Sequence, residues 1–314
     1  MSNMVIRSLM SSLTGNRSSQ YSVNSGDGPG PASTTLSKPF EKQALSIRHR
    51  LEYESPGKLV WTISRTIGRA NFNSTLQNFL YFNGIIHHDF KEIQRLLKLA
   101  HIRSAVRFTF ENSINAAIVR IIPGPEPGCV AGELYQEIVR KIESIPGHIY
   151  STSPMRATQF VVPGTRSKEG DQGLRPDTRE GREAWPSLMI EVGYPDTPNL
   201  LHLDAEWWLL HSDGQTRFVI IATISRNPFH LDIECWTMGA PSTGVDSIGG
   251  IPKCIQNFSI DSAGRVTSLL QSSELAIPYN CIFDRSSPEL TPQPIILTIP
   301  ELSFFAKRMF SLLQ

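Results

Sequence analysis

The run SKEGDQGLRPDTREGREAWPSLMIEVGYPD, residues 167–196, holds the side chains best suited to binding a cation or moving a proton. Glu191 interrupts an apolar stretch, and a carboxylate inside a buried strand is costly unless something pairs with it. SLMIEVG alternates, so Leu188, Ile190 and Val192 take one face while Met189, Glu191 and Gly193 take the other. Two upstream aspartates compete for the position facing Glu191. With the connection centred near residue 182, where EGREAWP turns the chain, residue 171 lies opposite roughly 193, and 173 opposite 191. Asp177 then faces about Ser187, on the order of 13 Å from Glu191 at ~3.3 Å per strand residue. The arithmetic favours Asp171. Two carboxylates a few ångströms apart repel unless a cation or a shared proton lies between them. Oxygen ligands of this kind suit Mg²⁺ or Mn²⁺. The same pair is also accounted for as a structural network satisfied by backbone donors or by an arginine.

The elements that would position these residues are readable from pattern. GELYQEIVRKIES carries Leu134, Ile138 and Ile142 at helical spacing. MRATQFVVPG reads as a strand ended by Pro163-Gly164, followed by the Glu191 strand. NLLHLDAEWWLLH reads as a helix with Thr197 as N-cap and Pro198 at its first position. TRFVIIATIS is nearly continuous apolar strand, as expected where both faces are covered, and LDIECW is the next. The expected order is therefore helix, two strands, the Glu191 strand, helix, two strands. Further short strands over 255–283 and a terminal helix in IPELSFFAKRMFSLLQ complete this part. Upstream, AVRFTF and AAIVRII form a hairpin turned at Glu111-Asn112-Ser113. HHDFKEIQRLLKLAHI forms a helix with Asp89 and Glu92 spaced as a capping box and Phe90, Ile93, Leu97 and Ala100 on one face. KLVWTI reads as a short strand.

K168-x-x-D171, then E191-x-G193, a helix and the strand RFVIIATI resemble the restriction-endonuclease-like PD-(D/E)XK superfamily. PSLMIEVGYPD and LDAEWWLL are similar to a branch expanded in fungal genomes. The resemblance covers roughly residues 116–236. It implies an α/β fold with a restriction-endonuclease-like mixed central sheet flanked by helices. It also implies divalent-cation-dependent hydrolysis of DNA phosphodiesters, with Asp171 and Glu191 as ligands of Mg²⁺ or Mn²⁺. In that chemistry the motif lysine orients water and stabilises charge on the phosphate. The chain departs from the pattern at position 193, where glycine replaces the E-x-K lysine, and residues 199–211 hold no Lys or Arg. Lys168 is the stand-in, with Arg175 behind it, and it needs a bulge or kink at Gly170 to face Asp171. The departure supports the alternative function, a degenerate core that binds nucleic acid or protein.

Composition bounds the rest. The chain has 314 residues, 40% of them hydrophobic, enough for one large core plus a smaller module. Lys+Arg number 30 and Asp+Glu 29, so nucleic-acid binding would need a local basic face. Lys91, Arg95 and Lys98, extended by Arg103 and Arg107, offer one, although such stripes are more often solvated surface. Cys129, Cys235, Cys254 and Cys281 lack zinc or disulfide spacing, which fits a reduced intracellular compartment, cytoplasmic or nuclear. No apolar run is long enough for a membrane span. Residues 1–43 read as a disordered tail with a faint likeness to a transit peptide. Residues 44–125 read as an N-terminal α/β extension and 126–314 as the core. Glu133 and Glu137, His87-His88-Asp89, His202 and Asp204 are weaker ligand candidates, each with a simpler account as ion pair, cap or solvated helix face.

Overall fold

The computed structural model describes residues 38–70, 79–122, 124–156, 158–181, 183–195, 198–239, 250–270, 272–284 and 293–313. The expected tail over 1–37 and the Thr197 cap lie outside the described residues. The chain opens with helix α1 (Lys38–Ser46), strand β1 (His49–Glu52), helix α2 (Pro56–Ala70), β2 (Phe79–Asn83) and α3 (Phe90–Leu99). Next come β3 (Val106–Glu111), β4 (Ala116–Ile121), helix α4 (Glu126–Glu143), β5 (Thr152–Arg156), β6 (Gln159–Val162) and β7 (Arg166–Glu169). Then follow β8 (Gln172–Pro176), β9 (Leu188–Gly193), α5 (Pro198–His211), β10 (Phe218–Arg226), β11 (Phe229–Met238) and β12 (Pro252–Asp261). The chain ends with β13 (Val266–Thr267), β14 (Glu274–Ile277), α6 (Tyr279–Ile282), β15 (Ile295–Thr298) and α7 (Ile299–Leu312).

Two mixed sheets carry the fold. The first runs β1-β2-β4-β3-β7-β6, the second β13-β12-β11-β10-β9-β8-β5, and β14 pairs with β15 apart from both. In the second sheet β9 and β10 are parallel neighbours joined through α5, as the alternation in their sequences predicts. Mixed sheets flanked by helices, preceded by an α/β segment, are the expected fold class. The first sheet runs across residue 125, because β6 and β7 join it from beyond α4.

Helices sort by which sheet face they cover. Leu134, Ile138 and Ile142 of α4 meet Leu188, Ile190 and Val192 of β9 in the largest core, which also takes in α7. On the opposite face Met189, Val219 and Ile221 meet Leu201, Ala205, Trp207 and Trp208 of α5. Helix α5 then presents Leu200 and Leu203 to α1 and to Phe79, Tyr81, Ala116 and Ile118 of the first sheet. It is buried between two sheets. The far face of the first sheet is covered by α2 and α3 through Leu59, Ile63, Phe90, Ile93 and Leu97. Among the described residues no helix is long and apolar enough to cross a membrane.

Several expectations are corrected. KLVWTI lies in α2, not in a strand. Its β-branched run imitates a strand over six residues, but Leu59, Ile63 and Ile67 continue at helical spacing onto one core. Helix α1 begins at Lys38, where composition extended the tail to residue 43, because Phe40, Ala44 and Ile47 have a surface to bury against. MRATQFVVPG is two strands, β5 and β6, in different sheets. Asp89 makes no side-chain cap for α3, since its carboxylate accepts from Tyr53 Oη at 2.6 Å, and Glu92 is held by Arg95.

The docking of α1 generates the first prediction. Phe40 is 2% exposed against both α5 and the first sheet. Phe40→Ala should lower unfolding free energy by about 3–4 kcal/mol in urea titration. An unchanged midpoint would mean that the helix is not part of the cooperative core.

Candidate functional site

Alternation in four elements aims one group of charged side chains into the seam between the sheets. In β4, Ala117, Val119 and Ile121 face α2 and α3, so Ala116, Ile118 and Arg120 face α5. In β3, Val106, Phe108 and Phe110 take the helix-covered side, leaving Arg107 and Thr109 for the seam. Lys168 of β7 pairs across from Thr109. Glu191 of β9 projects on the α5 side, and Asp204 comes from α5 itself. Between β7 and β8 the chain passes from one sheet to the other at Gly170-Asp171. A Cβ at Gly170 would lie 2.1 Å from Met189 Cε and 2.9 Å from Trp208 Cζ2, so any side chain at this crossing would have to displace the methionine tip and the buried indole. Lys168 therefore lies in the first sheet and Asp171 in the crossing to the second, and the bulge expected at Gly170 is a sheet-to-sheet transition.

Asp171, not Asp177, is the residue near Glu191. β8 pairs with β9 as Gln172↔Ile190, Gly173↔Met189 and Leu174↔Leu188, and one further step sets Asp171 across from Glu191. The connection is centred at residue 181 rather than 182, which moves the register by two. Asp177 instead accepts from Ser153 Oγ at 2.5 Å in an exposed position.

What Glu191 faces is Arg120. Arg120 Nη2 donates to Glu191 Oε2 at 2.8 Å and to Asp171 Oδ2 at 2.5 Å, while Nη1 donates to Asp204 Oδ2 at 3.2 Å. Glu191 Oε1 accepts from Trp208 Nε1 at 2.7 Å, and Asp171 Oδ2 also accepts from the Val192 N–H at 3.0 Å. Lys168 Nζ, 2.5 Å from Asp204 Oδ1, shares that oxygen with Gln43 Nε2 of α1. Arg107 Nε lies 3.1 Å from Asp171 Oδ1 but aims its hydrogen at the Gly170 carbonyl, so Oδ1 has an ionic neighbour and no hydrogen bond. Glu191 is fully buried, and Asp171, Asp204, Arg120 and Lys168 nearly so. Three carboxylates meet three cations.

Burial pushes Glu191 up to about 7; Arg120 pulls it down and Asp171 pushes it up again. Burial also acts to raise Asp171, but Arg120 and Arg107 outweigh it and hold that carboxyl below its usual value. Burial opposes the charge on Arg120, and Asp171, Glu191 and Asp204 together more than restore it.

The sequence candidates Asp171, Glu191 and Lys168 are thus brought to one place, with Asp204 joining them against its expected solvated setting. Arg120 is not among the sequence candidates. Its signal is of the same kind as that of Glu191, a charge inside an apolar strand. Arg103 and Arg107 turn inward to Glu169 and Asp171 rather than extending the basic face of α3. Arg175 reaches the Gly181 carbonyl, away from the cluster. Glu133 pairs with Arg308, Glu137 with Arg140, and His202 with Glu234.

A divalent cation needs several oxygens converging in near-octahedral array on one point that no other positive group fills. In the described arrangement every carboxylate oxygen of the cluster except Asp171 Oδ1 already accepts a hydrogen bond, and that one lies beside Arg107. The donor set does not fit Mg²⁺ or Mn²⁺. The guanidinium sits between the two acids expected to hold the cation.

No protein-family model matches the chain, and no curated protein matches it in sequence. Among solved structures it is similar to a protein from Anabaena variabilis ATCC 29413 described as a "putative nuclease belonging to DUF820". The two are 11% identical, the match covers 63% of this chain and 90% of that one, and the TM-score is 0.34. That likeness is too loose to carry residue roles across.

The folded-state value of Glu191, about 7, lies above its ordinary 4.5, so its proton favours folding below about pH 4.5. That contribution is lost as pH rises through 7. Melting temperature should therefore fall with rising pH in the native chain relative to Glu191→Gln; a pH-independent difference would refute the shift. Arg120→Met, which leaves three buried acids without their bridge, should cost about 3–5 kcal/mol in urea titration at neutral pH.

Proposed function

We propose that this chain is a nuclease-like α/β core that binds nucleic acid without cleaving it, its acidic pair held by an arginine in place of a cation. One observation carries the reading. A single guanidinium nitrogen, Nη2 of Arg120, reaches both Asp171 and Glu191 at hydrogen-bond distance in a buried site. Metal-assisted hydrolysis needs a cation with a position open to water and phosphate. Here the positive group faces inward, its donors spent on carboxylates. Lys168, the stand-in for the missing motif lysine, is spent on Asp204, and Gly193 offers no side chain. With three positive and three negative groups, the cluster also lacks the excess negative charge that would draw a divalent ion inward. The nucleic-acid part of the reading is supported by the motif resemblance around K168-x-x-D171 and E191-x-G193 and by exposed basic residues on α2 and α3, of which Arg65, Arg69, Lys91 and Lys98 have no carboxylate partner among the described residues.

The second reading is cation-dependent hydrolysis of DNA. It is favoured by the convergence of Asp171, Glu191 and Lys168, contributed by the sheet crossing and by a strand of each sheet, on one cluster. Both readings are separated by incubating the purified full chain with Mg²⁺ or Mn²⁺ on supercoiled plasmid and on single-stranded DNA. The expected result is no cation-dependent product, and a melting temperature that millimolar Mn²⁺ leaves unchanged, since a ligand that does not bind the folded state does not stabilise it. Cleavage that disappears in Asp171→Asn and Lys168→Ala, with both variants folded by circular dichroism, would overturn the proposal in favour of hydrolysis.

A further inference from the structure

We infer that the outward faces of α2 and α3 form a docking surface for single-stranded nucleic acid, with Trp61 as a stacking platform among basic side chains. This rests on the binding reading above and gives it a location. The two helices lie on one side of the first sheet, since both bury residues against Phe108 and Val119. The charged residues that packing leaves most exposed are basic: Lys58, Arg65 and Arg69 on α2, and Lys91, Arg95 and Lys98 on α3, with Leu99 exposed beside them.

A merely solvated helix face is built differently. Such faces intersperse acids with bases, three or four residues apart, so that the charges support the helix. Residues 56–70 contain no acid. Lys58 has a distant partner, Glu54 at 3.9 Å, and Arg95 is paired with Glu92. Arg65, Arg69, Lys91 and Lys98 have no carboxylate partner among the described residues. Arg69, in the last turn of α2, complements the helix dipole, but Lys58 in the first turn opposes it. Helix stability therefore does not explain the stripe.

Trp61 adds the second feature. Trp185, Trp207 and Trp208 are buried, and Trp236 packs beside them against the second sheet. Trp61 is half-buried and joins none of the apolar clusters among the described residues. Lys58 Nζ lies 5.5 Å and Arg65 Cζ 5.2 Å from its ring centroid, within cation–π range. Cations that track a phosphate backbone beside an aromatic face that stacks on bases are the pairing used for single strands. A duplex, with its bases already stacked, uses only the cations. The basic residues of the seam are unavailable for this role because they are buried and paired.

The test is fluorescence anisotropy of a labelled 20-nucleotide mixed-sequence DNA strand with the full chain, between 50 and 200 mM NaCl. Lys58→Ala/Arg65→Ala/Arg69→Ala should weaken binding at least tenfold. It should also make the slope of log affinity against log salt shallower by about 2, at roughly 0.7 per lost contact. Trp61→Leu should weaken binding about tenfold with the slope unchanged, and Trp61→Phe should restore most of it. Arg265→Ala, an exposed charge outside this surface, should bind as the native chain does. If the native chain binds and the triple variant matches it in affinity and slope, the surface is wrong while the binding reading stands. Displacement by poly-glutamate as effective as by unlabelled strand would make the surface a general polyanion site and overturn its assignment. If the native chain binds no strand, both fall.

Discussion

The architecture turns on one guanidinium. Arg120 leaves the first sheet, crosses the seam and meets carboxylates from the sheet crossing, from the second sheet and from α5. Taking these charges out of water costs several kcal/mol per ion, and their attraction roughly repays it only when the geometry is good. Such a cluster therefore does little for net stability compared with an apolar seam. It does fix which surfaces meet. Each acid has its donors assigned, so a slip of one residue in β8, β9 or α5 would strand a buried charge.

Helix α5 shows how the surroundings adapt to that constraint. Placed between two sheets, it has almost no solvated side, which accounts for fourteen residues without Lys or Arg. Its tryptophans are not redundant bulk. Trp208 uses its ring to fill the space above Met189 and its indole N–H to satisfy the second oxygen of Glu191. Gly170 answers the same crowding from the other side, by having no side chain where Met189 and Trp208 close in.

Much of the second sheet was legible in sequence because its signals are periodic and local. The alternation of residues 188–193, the unbroken apolar run of 218–226 and the spacing of Leu134, Ile138 and Ile142 all have one physical reading, and the structure follows it. The choice of Asp171 over Asp177 survived an error of one residue in the turn centre, because the two candidates were six residues apart. What could not be read was which charge answered Glu191. Arg120 lies 71 residues upstream, in a hairpin whose relation to the second sheet depends on β7 joining the first sheet, and no local pattern encodes that pairing. Helix α2 failed for the opposite reason: four consecutive β-branched and aromatic residues, Val60 to Ile63, gave a clear local signal, and tertiary packing over fifteen residues overrode it. At Asp89 the capping-box spacing was present but Tyr53 claimed the carboxylate. At Thr298, whose N–H is accepted by Glu301, the same spacing does form the contact.

The balance of three acids against three bases has a consequence for how such a chain can change over generations. Losing Arg120 alone leaves acids buried without a partner, and losing Glu191 alone leaves a guanidinium bond unmade beside an indole with no acceptor. Each single step is a descent in fitness through stability, whichever direction is taken. Substitutions at the seam should thus be accepted only in complementary pairs, with Arg120 and one of its acids exchanged together. A chain with this arrangement is held in it by a ratchet, because neither Arg120 nor its acids can leave first.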